Sequence, residues 1–343
     1  MNIELLKELT EARGIPGQED LIRAIVRREL SPLTEIKVDK MGNLICHKPG
    51  KGPKVMIAAH MDEIGFIVKF IDKNGFLRIQ PLGGFDPQQL CSQRVIVNGK
   101  SGPLQGLLMM SAKPIHMREN DGKAPKIDTF FIDLGLSEEE VRANVRLGDM
   151  VTMDRTFVQT GNLLSCKCMD DRVGVFVMIE AIKALGDHEA DIYAVATVQE
   201  EIGLRGAAAS GSAIAPDVVI ALDVTLANDI PGLTDVDYVT KLGEGTAIKI
   251  MDSSLVCHPK LVEHFRGVAE THGIKHQFEI LAFGGTDAGG IQRLHGGIPA
   301  FTLSVPTRYV HTVNETVHPG DVQASIDLLA RYLEDAHNGD YTY

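Results

Sequence analysis

The 343-residue sequence lacks any uninterrupted apolar stretch close to the roughly 20 residues that a membrane-spanning helix requires. Residues 1–8 have the pattern of an amphipathic helix start, without the short apolar core of a signal peptide. These absences argue against a membrane protein and make the cytoplasm the expected location.

Positive charge is also scarce. The formal net charge is −12, and no basic stripe interleaved with aromatic residues occurs. Because non-specific nucleic-acid binding depends on basic surface that neutralises phosphates, we expect no nucleic-acid partner.

The five cysteines are an odd number scattered along the sequence, so they do not form a disulfide framework and fit a reducing compartment. Cys166 and Cys168 would point to one face of a strand just before Asp170. A soft-metal site is one interpretation of this pair. Burial as small apolar side chains is the more common use of free cysteine, and we favour it here.

Apolar runs alternate with helical patterns in the two ends of the sequence. Strand-like, mostly apolar runs lie at 55–59, 192–198, 218–222 and 300–305, as expected of strands buried on both faces. Amphipathic patterns typical of helices accompany them, for example at 321–337. We therefore predict an α/β fold with a mixed sheet covered by helices on both faces.

Residues 69–162 have a different texture. Short strand-like runs alternate with turn signals such as Asn74-Gly75, and only 137–144 has a helical pattern. We interpret this segment as a small β-rich domain, barrel-like or PDZ-like, inserted into the α/β domain. The predicted division is a discontinuous catalytic domain, 1–68 with 163–343, and an inserted domain, 69–162.

Glu200 and Glu201 are adjacent carboxylates at the end of the strand-like run 191–199, close to the chain-breaking Gly203. If both are buried, their charges repel, so either one is protonated or both face cations. This pattern indicates a metal site in which one glutamate binds the ion and its neighbour handles protons.

The same arrangement recurs, because other apolar runs also lead into residues that can bind metal. The further candidates are His60 with Asp62, Asp170 with Asp171, Asp223, and His311. Ligands of open α/β sheets bind beyond the carboxyl ends of the strands, so we expect these side chains to meet there. A single aspartate before a helix is usually a cap, but five such positions together are harder to explain in that way. Mixed carboxylate and imidazole donors suit divalent ions.

Asp62 lies two residues after His60. A ligating imidazole usually donates its other N–H to a carboxylate, and Asp62 is the candidate for that role. A salt bridge between Asp62 and Arg172 is the alternative that the sequence leaves open.

Residues 284–290, Gly-Gly-Thr-Asp-Ala-Gly-Gly, have the glycine content of a phosphate-binding loop. They lack Gly-Lys-Ser/Thr, however, and Asp287 would repel phosphate. We interpret them as a loop that lines the substrate pocket, with a plain turn as the alternative.

Taken in order, these candidates resemble the site of the M42 metallo-aminopeptidases, the TET-type enzymes related to glutamyl aminopeptidase. Supporting stretches are Ala-His-Met-Asp-Glu at 59–63, Met-Asp-Asp-Arg-Val-Gly at 169–174, Gln-Glu-Glu-Ile-Gly-Leu-Arg-Gly at 199–206 and Gly-Gly-Thr-Asp-Ala at 284–288. The resemblance covers essentially the whole sequence, including Gly-Gly-Phe-Asp-Pro at 83–87 in the inserted segment.

The resemblance implies two divalent metal ions per subunit, with zinc as the first expectation and cobalt or manganese as alternatives. Asp170 would bridge the two ions. His60 and Asp223 would complete one metal position, and Glu201 and His311 would complete the other. In relatives the peptide bond that follows the bridging aspartate is cis.

The implied reaction is release of N-terminal residues from short peptides. A water molecule shared by the two ions would be the nucleophile. Glu200 would take its proton as general base and deliver a proton to the leaving amine, while Asp62 orients His60. In relatives the inserted domain supports dimerisation and six dimers often form a hollow dodecamer, so we expect a homo-oligomer.

Two other functions stay open on the residues alone. One is a metal-dependent hydrolase of another amide, such as an N-acyl amino acid deacylase, which would cleave blocked rather than unblocked substrates. The other is a non-catalytic assembly protein on the same fold, against which Glu200 and the five candidate ligands argue. The sequence does not predict which N-terminal residue is preferred.

Overall fold

The computed structural model describes residues 1–112 and 124–343. The α-helices of these residues are, in chain order, α1 (Ile3–Glu11), α2 (Asp20–Leu30), α3 (Glu138–Asn144), α4 (Met169–Ala184), α5 (Arg205–Ile214), α6 (Pro259–His272), α7 (Asp287–Ile291) and α8 (Pro319–Asp335). Among them, none combines the length and apolar character needed to cross a membrane.

The strands of the described residues belong to two separate sheets. In chain order they are β1 (Glu35–Val38), β2 (Leu44–Lys48), β3 (Lys54–His60), β4 (Gly65–Ile71), β5 (Leu77–Leu82), β6 (Gln93–Gly99), β7 (Gly102–Met110), β8 (Phe130–Asp133), β9 (Met150–Met153), β10 (Val158–Thr160), β11 (Leu163–Cys166), β12 (Asp191–Thr197), β13 (Val218–Leu226), β14 (Thr246–Met251), β15 (His276–Ile280), β16 (Ala300–Arg308) and β17 (Glu315–Val317).

The larger sheet has the strand order β1-β2-β12-β3-β13-β16-β17-β11-β10, with β14 and β15 attached through β16. Its centre, β12-β3-β13-β16, is parallel, and antiparallel neighbours flank the centre on both sides. The mixed sheet predicted from the sequence is confirmed.

The central strands are buried on both faces, as their apolar runs predicted. Residues 55–59 in β3 have no exposed surface. Helix α4 packs against β3 and β13 and is covered by α1 and α8, whereas α5 and α7 form the other helical layer. Continuous apolar sequence is what a strand between two helical layers requires, because neither of its faces meets water.

The inserted segment forms a closed barrel of six strands in the order β4-β5-β8-β7-β6-β9. Phe66, Val95, Leu108 and Phe130 are buried in its core, which is separate from the core around the large sheet. A closed barrel leaves no free strand edge for unwanted pairing. The predicted β-rich insertion is confirmed.

The division of the chain at 68/69 and 162/163 stays a prediction. Barrel strand β4 already begins at Gly65, before the first predicted bound. Strand β10 lies before the second predicted bound, but it pairs with β11 and therefore belongs to the large sheet. The change between the two sheets therefore lies a few residues from the predicted bounds.

Some elements end elsewhere than the sequence predicts. Asp223 was expected after a strand ending at 222, but β13 continues because it pairs with β16 as far as Leu226. In α4, Asp170 and Asp171 have non-helical backbone angles and are joined by a cis peptide bond, as the resemblance implied. The regular turns of α4 follow these two residues.

Candidate metal centre

The carboxyl ends of the central parallel strands carry most of the predicted site residues. Strand β3 ends at His60, the loop after β12 carries Glu200 and Glu201, and Asp223 lies in β13. The register pairs Thr197 at the end of β12 with His60, so the loop after β12 emerges beside this imidazole.

Asp170 and His311 reach the same place from other elements. Asp170 lies at the start of α4, and His311 lies in the loop between β16 and β17. One cavity of about 570 Å³ is lined by six of the eight residues singled out from the sequence: His60, Asp170, Glu200, Glu201, Asp223 and His311.

Asp170 lies between two histidines. Its Oδ1 atom is 3.2 Å from Nε2 of His60, and its Oδ2 atom is 3.4 Å from Nε2 of His311. Two groups of three share this aspartate: His60 and Asp223 belong to the first, Glu201 and His311 to the second. Within each group, one ligand atom per residue lies within 4.8 Å of the others.

The buried carboxylates of this cluster repel one another. Burial, reinforced by the charges of Asp223 and Glu201, raises the pKa of Glu200 well above its usual range. Burial and the charge of Asp170 likewise raise the pKa of Asp223, and they raise the pKa of Glu201 to about 8. Such crowding is unfavourable unless cations offset the charges.

The two imidazoles are tied electrostatically to Asp170. Burial disfavours their charged form, but Asp170 and the neighbouring carboxylates together outweigh burial, so the pKa of His60 rises well above its usual range and that of His311 rises to about 10. Burial by itself would raise the pKa of the Asp170 carboxyl, but the hydrogen bonds from His311 and His60 outweigh burial and lower this pKa.

The donor set fits divalent metal ions. Each group combines one imidazole with two carboxylates, which are donors that zinc, manganese and cobalt accept. Doubly charged ions would also offset the repulsion that raises the pKa of Glu200, Glu201 and Asp223.

Glu200 lies beside these groups without belonging to either. Its Oε2 atom is 4.0 Å from Nε2 of His60, beyond hydrogen-bond distance, and the residue lines the cavity. The Glu200 carboxylate is therefore placed to exchange a proton with a molecule in the cavity.

Asp62 supports the site from a fully buried position. Its carboxylate accepts the main-chain N–H groups of Glu200 at 3.0 Å and Glu201 at 3.1 Å. Nδ1 of His60 is 3.0 Å from the main-chain carbonyl oxygen of Asp62 and 3.6 Å from its carboxylate. Asp62 thus contacts His60 mainly through its backbone, and the role of its carboxylate in orienting the imidazole stays a prediction.

Arg172 has other partners than Asp62. Its guanidinium donates to the carbonyl oxygens of Leu9, Ala12 and Gly14 and lies 3.5 Å from Glu63. These contacts tie the start of α4 to the end of α1 and leave the Asp62 carboxylate to the amides of the glutamate pair.

Three further carboxylates hold the main chain of the site. Of these, the sequence singled out Asp171 only as a possible metal-binding neighbour of Asp170, and it singled out neither of the other two. The three are Asp171, which accepts the N–H of His60; Glu315, which accepts those of Asp170 and His311; and Glu19, which accepts that of Gln199. All three are buried. Their partners are backbone amides, which every residue carries, and all of them except the His311 amide are distant in sequence from the carboxylate that accepts them.

Apolar side chains form much of the cavity wall, namely Leu204, Val224, Leu226, Leu281, Phe283 and Val310. Of residues 284–290, predicted to be a loop that lines the pocket, Gly284, Gly285 and Thr286 line it, whereas the rest belong to helix α7. The fully buried Lys249 contacts the cavity as well, but its charge is offset by an ion pair with Glu279.

Cys166 and Cys168 are both buried, as favoured from the sequence. Their thiols donate to the carbonyl oxygen of Thr10 at 3.4 Å and 3.0 Å, and burial raises the pKa of both. In residues 1–112 and 124–343, neither cysteine belongs to a group that could hold a metal ion.

The helix-covered mixed sheet with its barrel insertion is the fold of solved aminopeptidases. The aminopeptidase APDkam598 of the archaeon Desulfurococcus kamchatkensis matches with a TM-score of 0.93 and 39% identity, over 97% of this chain and 94% of the other. The TET1 peptidase of Pyrococcus horikoshii, described as assembling into a tetrahedron or a large octahedral shell, matches with a TM-score of 0.88 and 33% identity, over 96% and 98%.

Sequence comparison gives the family. The model of the M42 glutamyl aminopeptidase family matches residues 42–328. The lysyl aminopeptidase of Pyrococcus furiosus is 38% identical over 348 aligned positions, which cover 99% of each chain. The chain therefore belongs to the M42 family of aminopeptidases, so it is a hydrolase, and the resemblance drawn from its motifs is confirmed.

Proposed function

We propose that this chain removes single N-terminal residues from short peptides with the help of two divalent metal ions. The observation that carries the proposal is that Asp170 belongs to both ligand groups, with the unligated Glu200 beside them. His60 and Asp223 would hold one ion with Asp170, and Glu201 and His311 the other. When bound, the ions would polarise the scissile carbonyl and lower the pKa of the attacking water.

Glu200 would move the proton. Its carboxylate lines the cavity and belongs to neither ligand group, so it would be free to accept a proton from the attacking water and to pass one to the leaving nitrogen. Asp62 fixes the backbone from which Glu200 projects, since it accepts the N–H of this residue.

The cavity suits the end of a peptide. Its volume of about 570 Å³ accommodates a short segment of chain but not a folded protein. A free N-terminal amine is cationic near neutral pH, and the carboxylates at the cavity floor attract it. An acetylated N-terminus would lack this attraction.

Hydrolysis of an aminoacyl-anilide panel and of unblocked peptides tests the proposal. Protein treated with chelator should be inactive, and zinc, cobalt or manganese added singly should restore release of N-terminal residues. The N-acetylated form of each substrate is the matched control and should stay intact. Cleavage of the acetylated substrates would favour a deacylase instead. Bound metal without turnover of any substrate would favour a non-catalytic assembly protein.

We also propose that the chain forms a homo-oligomer, with the barrel taking part in a dimer and dimers joining into a hollow dodecamer. Phe70 and Leu107 on the barrel, 56% and 51% exposed, provide apolar surface that a second copy would cover. Mass photometry of the wild-type protein would distinguish monomer, dimer and dodecamer. A monomer at micromolar concentration would contradict the proposal.

A further inference from the structure

Glu315 connects the backbones of two candidate ligands that come from different elements. Its Oε2 atom accepts the N–H of Asp170 at 2.8 Å, and its Oε1 atom accepts the N–H of His311 at 2.7 Å. The side chain is only 1% exposed. Both carboxylate oxygens are therefore engaged by the main chain of the second ligand group.

The fold explains how one side chain reaches both amides. Strand β17 begins at Glu315 directly after the His311 loop, and the register pairs Glu315 with Cys166 at the end of β11. The chain leaves β11 at Cys166 and reaches Asp170 four residues later. Glu315 thus stands between the loop that carries His311 and the segment that carries Asp170.

The His311 loop needs such a support. Tyr309 and His311 both have φ of 61°, in the left-handed region that residues other than glycine rarely adopt. Conformations of this kind persist where surrounding contacts hold them, and the bond from the His311 amide to Glu315 is one such contact.

Fold stability alone does not account for a carboxylate at this position. The side chain is almost fully buried, and its two carboxylate oxygens accept main-chain N–H groups. None of the ion pairs in the described part of the chain offers it a lysine or arginine partner. A buried charge without a cation is unfavourable for folding, and unfavourable charges cluster at functional sites.

We propose that Glu315 is a positioning residue that fixes Asp170 and His311 so that they can hold a metal ion together with Glu201. The inference rests on the proposed function in one respect, namely that Asp170 and His311 are metal ligands. Glu315 itself would touch neither ion nor substrate and would act through the two amides.

The substitutions Glu315→Gln and Glu315→Asp test this role. Glutamine keeps the size of the side chain, but its NH₂ group would face one of the two N–H groups, so one contact is lost. Aspartate keeps the charge and both acceptors on a shorter stem. The matched control is Asp321→Asn, because Asp321 is also 1% exposed and accepts two backbone amides, those of Gly243 at 2.7 Å and Gly245 at 2.8 Å.

Metal binding is measured without reference to activity. Chelated protein is titrated with Co²⁺, and the visible absorption spectrum and the two dissociation constants are recorded. In Glu315→Gln we expect at least one of the two dissociation constants to rise about 10- to 100-fold, with an altered Co²⁺ spectrum. Glu315→Asp should recover part of the affinity, and Asp321→Asn should match the wild type in both readouts.

Two results would overturn the inference: wild-type affinity and spectrum in Glu315→Gln, or an equal change in Asp321→Asn. If near-ultraviolet circular dichroism shows that Glu315→Gln is unfolded, Glu315→Asp decides. Weakened Co²⁺ binding in this folded variant would support positioning, and unchanged binding would refute it. The proposed function fails separately, if wild-type protein loaded with metal releases no N-terminal residues.

Discussion

The Oε2 atom of Glu200 lies 4.0 Å from Nε2 of His60, close enough to share its electrostatic field and too far for a hydrogen bond. His60 belongs to a ligand group, whereas Glu200 belongs to none and so remains available for proton transfer. Glu201 belongs to the other ligand group, so these two adjacent carboxylates have different surroundings although the same loop carries both.

Asp62 provides the first prediction. In Asp62→Asn the amide NH₂ would oppose one of the N–H groups of Glu200 and Glu201, so their loop loses a contact. We expect kcat to fall about 10- to 100-fold, a typical effect of removing a residue that orients site residues. Steady-state kinetics measure it.

The control for this substitution is Asp72→Asn. Asp72 accepts the amides of Asn74 and Phe76 in a barrel turn, remote in the fold from the ligand groups. Its kcat should equal that of the wild type. A wild-type kcat in Asp62→Asn would argue that the glutamate loop holds its shape without this carboxylate.

Removal of metal should destabilise the protein without unfolding its large core. Ions that bind only the folded state stabilise it by mass action. The Tm of the chelated protein should therefore be roughly 5 °C lower than the Tm of protein saturated with metal. Differential scanning calorimetry with and without chelator, followed by addition of Zn²⁺, gives the measurement. An identical Tm in both conditions would speak against a folded-state metal site.

The decrease in Tm on chelation should also become larger as pH rises. The pKa of Glu201 is raised to about 8 in the folded chain, so the folded state without metal binds this proton more tightly than the unfolded state. Its contribution to stability is present at low pH and is lost as pH rises towards 8. Calorimetry at pH 5.5 and pH 8 should therefore show a larger chelator effect at the higher pH.

Glu19 predicts a pH effect outside the ligand groups. Burial and the charge of Asp62 raise its pKa from 4.5 to about 7 in the folded protein. The folded state then holds the proton more tightly, so the stability contributed by protonation falls as pH rises through this window. In chelated protein we expect the free energy of unfolding of the wild type, relative to Glu19→Gln, to fall by about 2 kcal/mol between pH 5 and pH 8.

Urea unfolding of wild type and Glu19→Gln at the two pH values measures this difference. Glutamine removes the titration but keeps an acceptor for the amides of Gly17 and Gln199. A difference between the two proteins that does not change with pH would mean that Glu19 titrates normally in the folded chain.

The candidate residues singled out from the sequence lie together in the fold, whereas some predicted element bounds differ from those observed. His60, Glu200 and Asp223 each follow or end an apolar run, and runs of this kind form the parallel centre of the sheet. The bound at Asp223 was wrong because pairing between β13 and β16, rather than the change to polar residues, decides where the strand ends.

The supporting carboxylates could not be predicted in the same way. Glu315 and Glu19 act on backbone amides, which every residue carries, so their partners leave no mark in the sequence. Asp62 was singled out for its spacing from His60, yet its carboxylate accepts the amides of Glu200 and Glu201, residues that folding brings beside it.

Substitution of Glu200 by glutamine tests the central claim most directly. On the same sample, one measures the turnover of a cleavable aminoacyl-anilide and the amount of metal bound per subunit. The control is Glu189→Gln, because Glu189 is exposed. We predict that Glu200→Gln keeps the metal content of the wild type and loses about 100- to 10,000-fold in kcat, because the proton acceptor is gone. Wild-type turnover with full metal content would contradict the assignment of Glu200 as the general base.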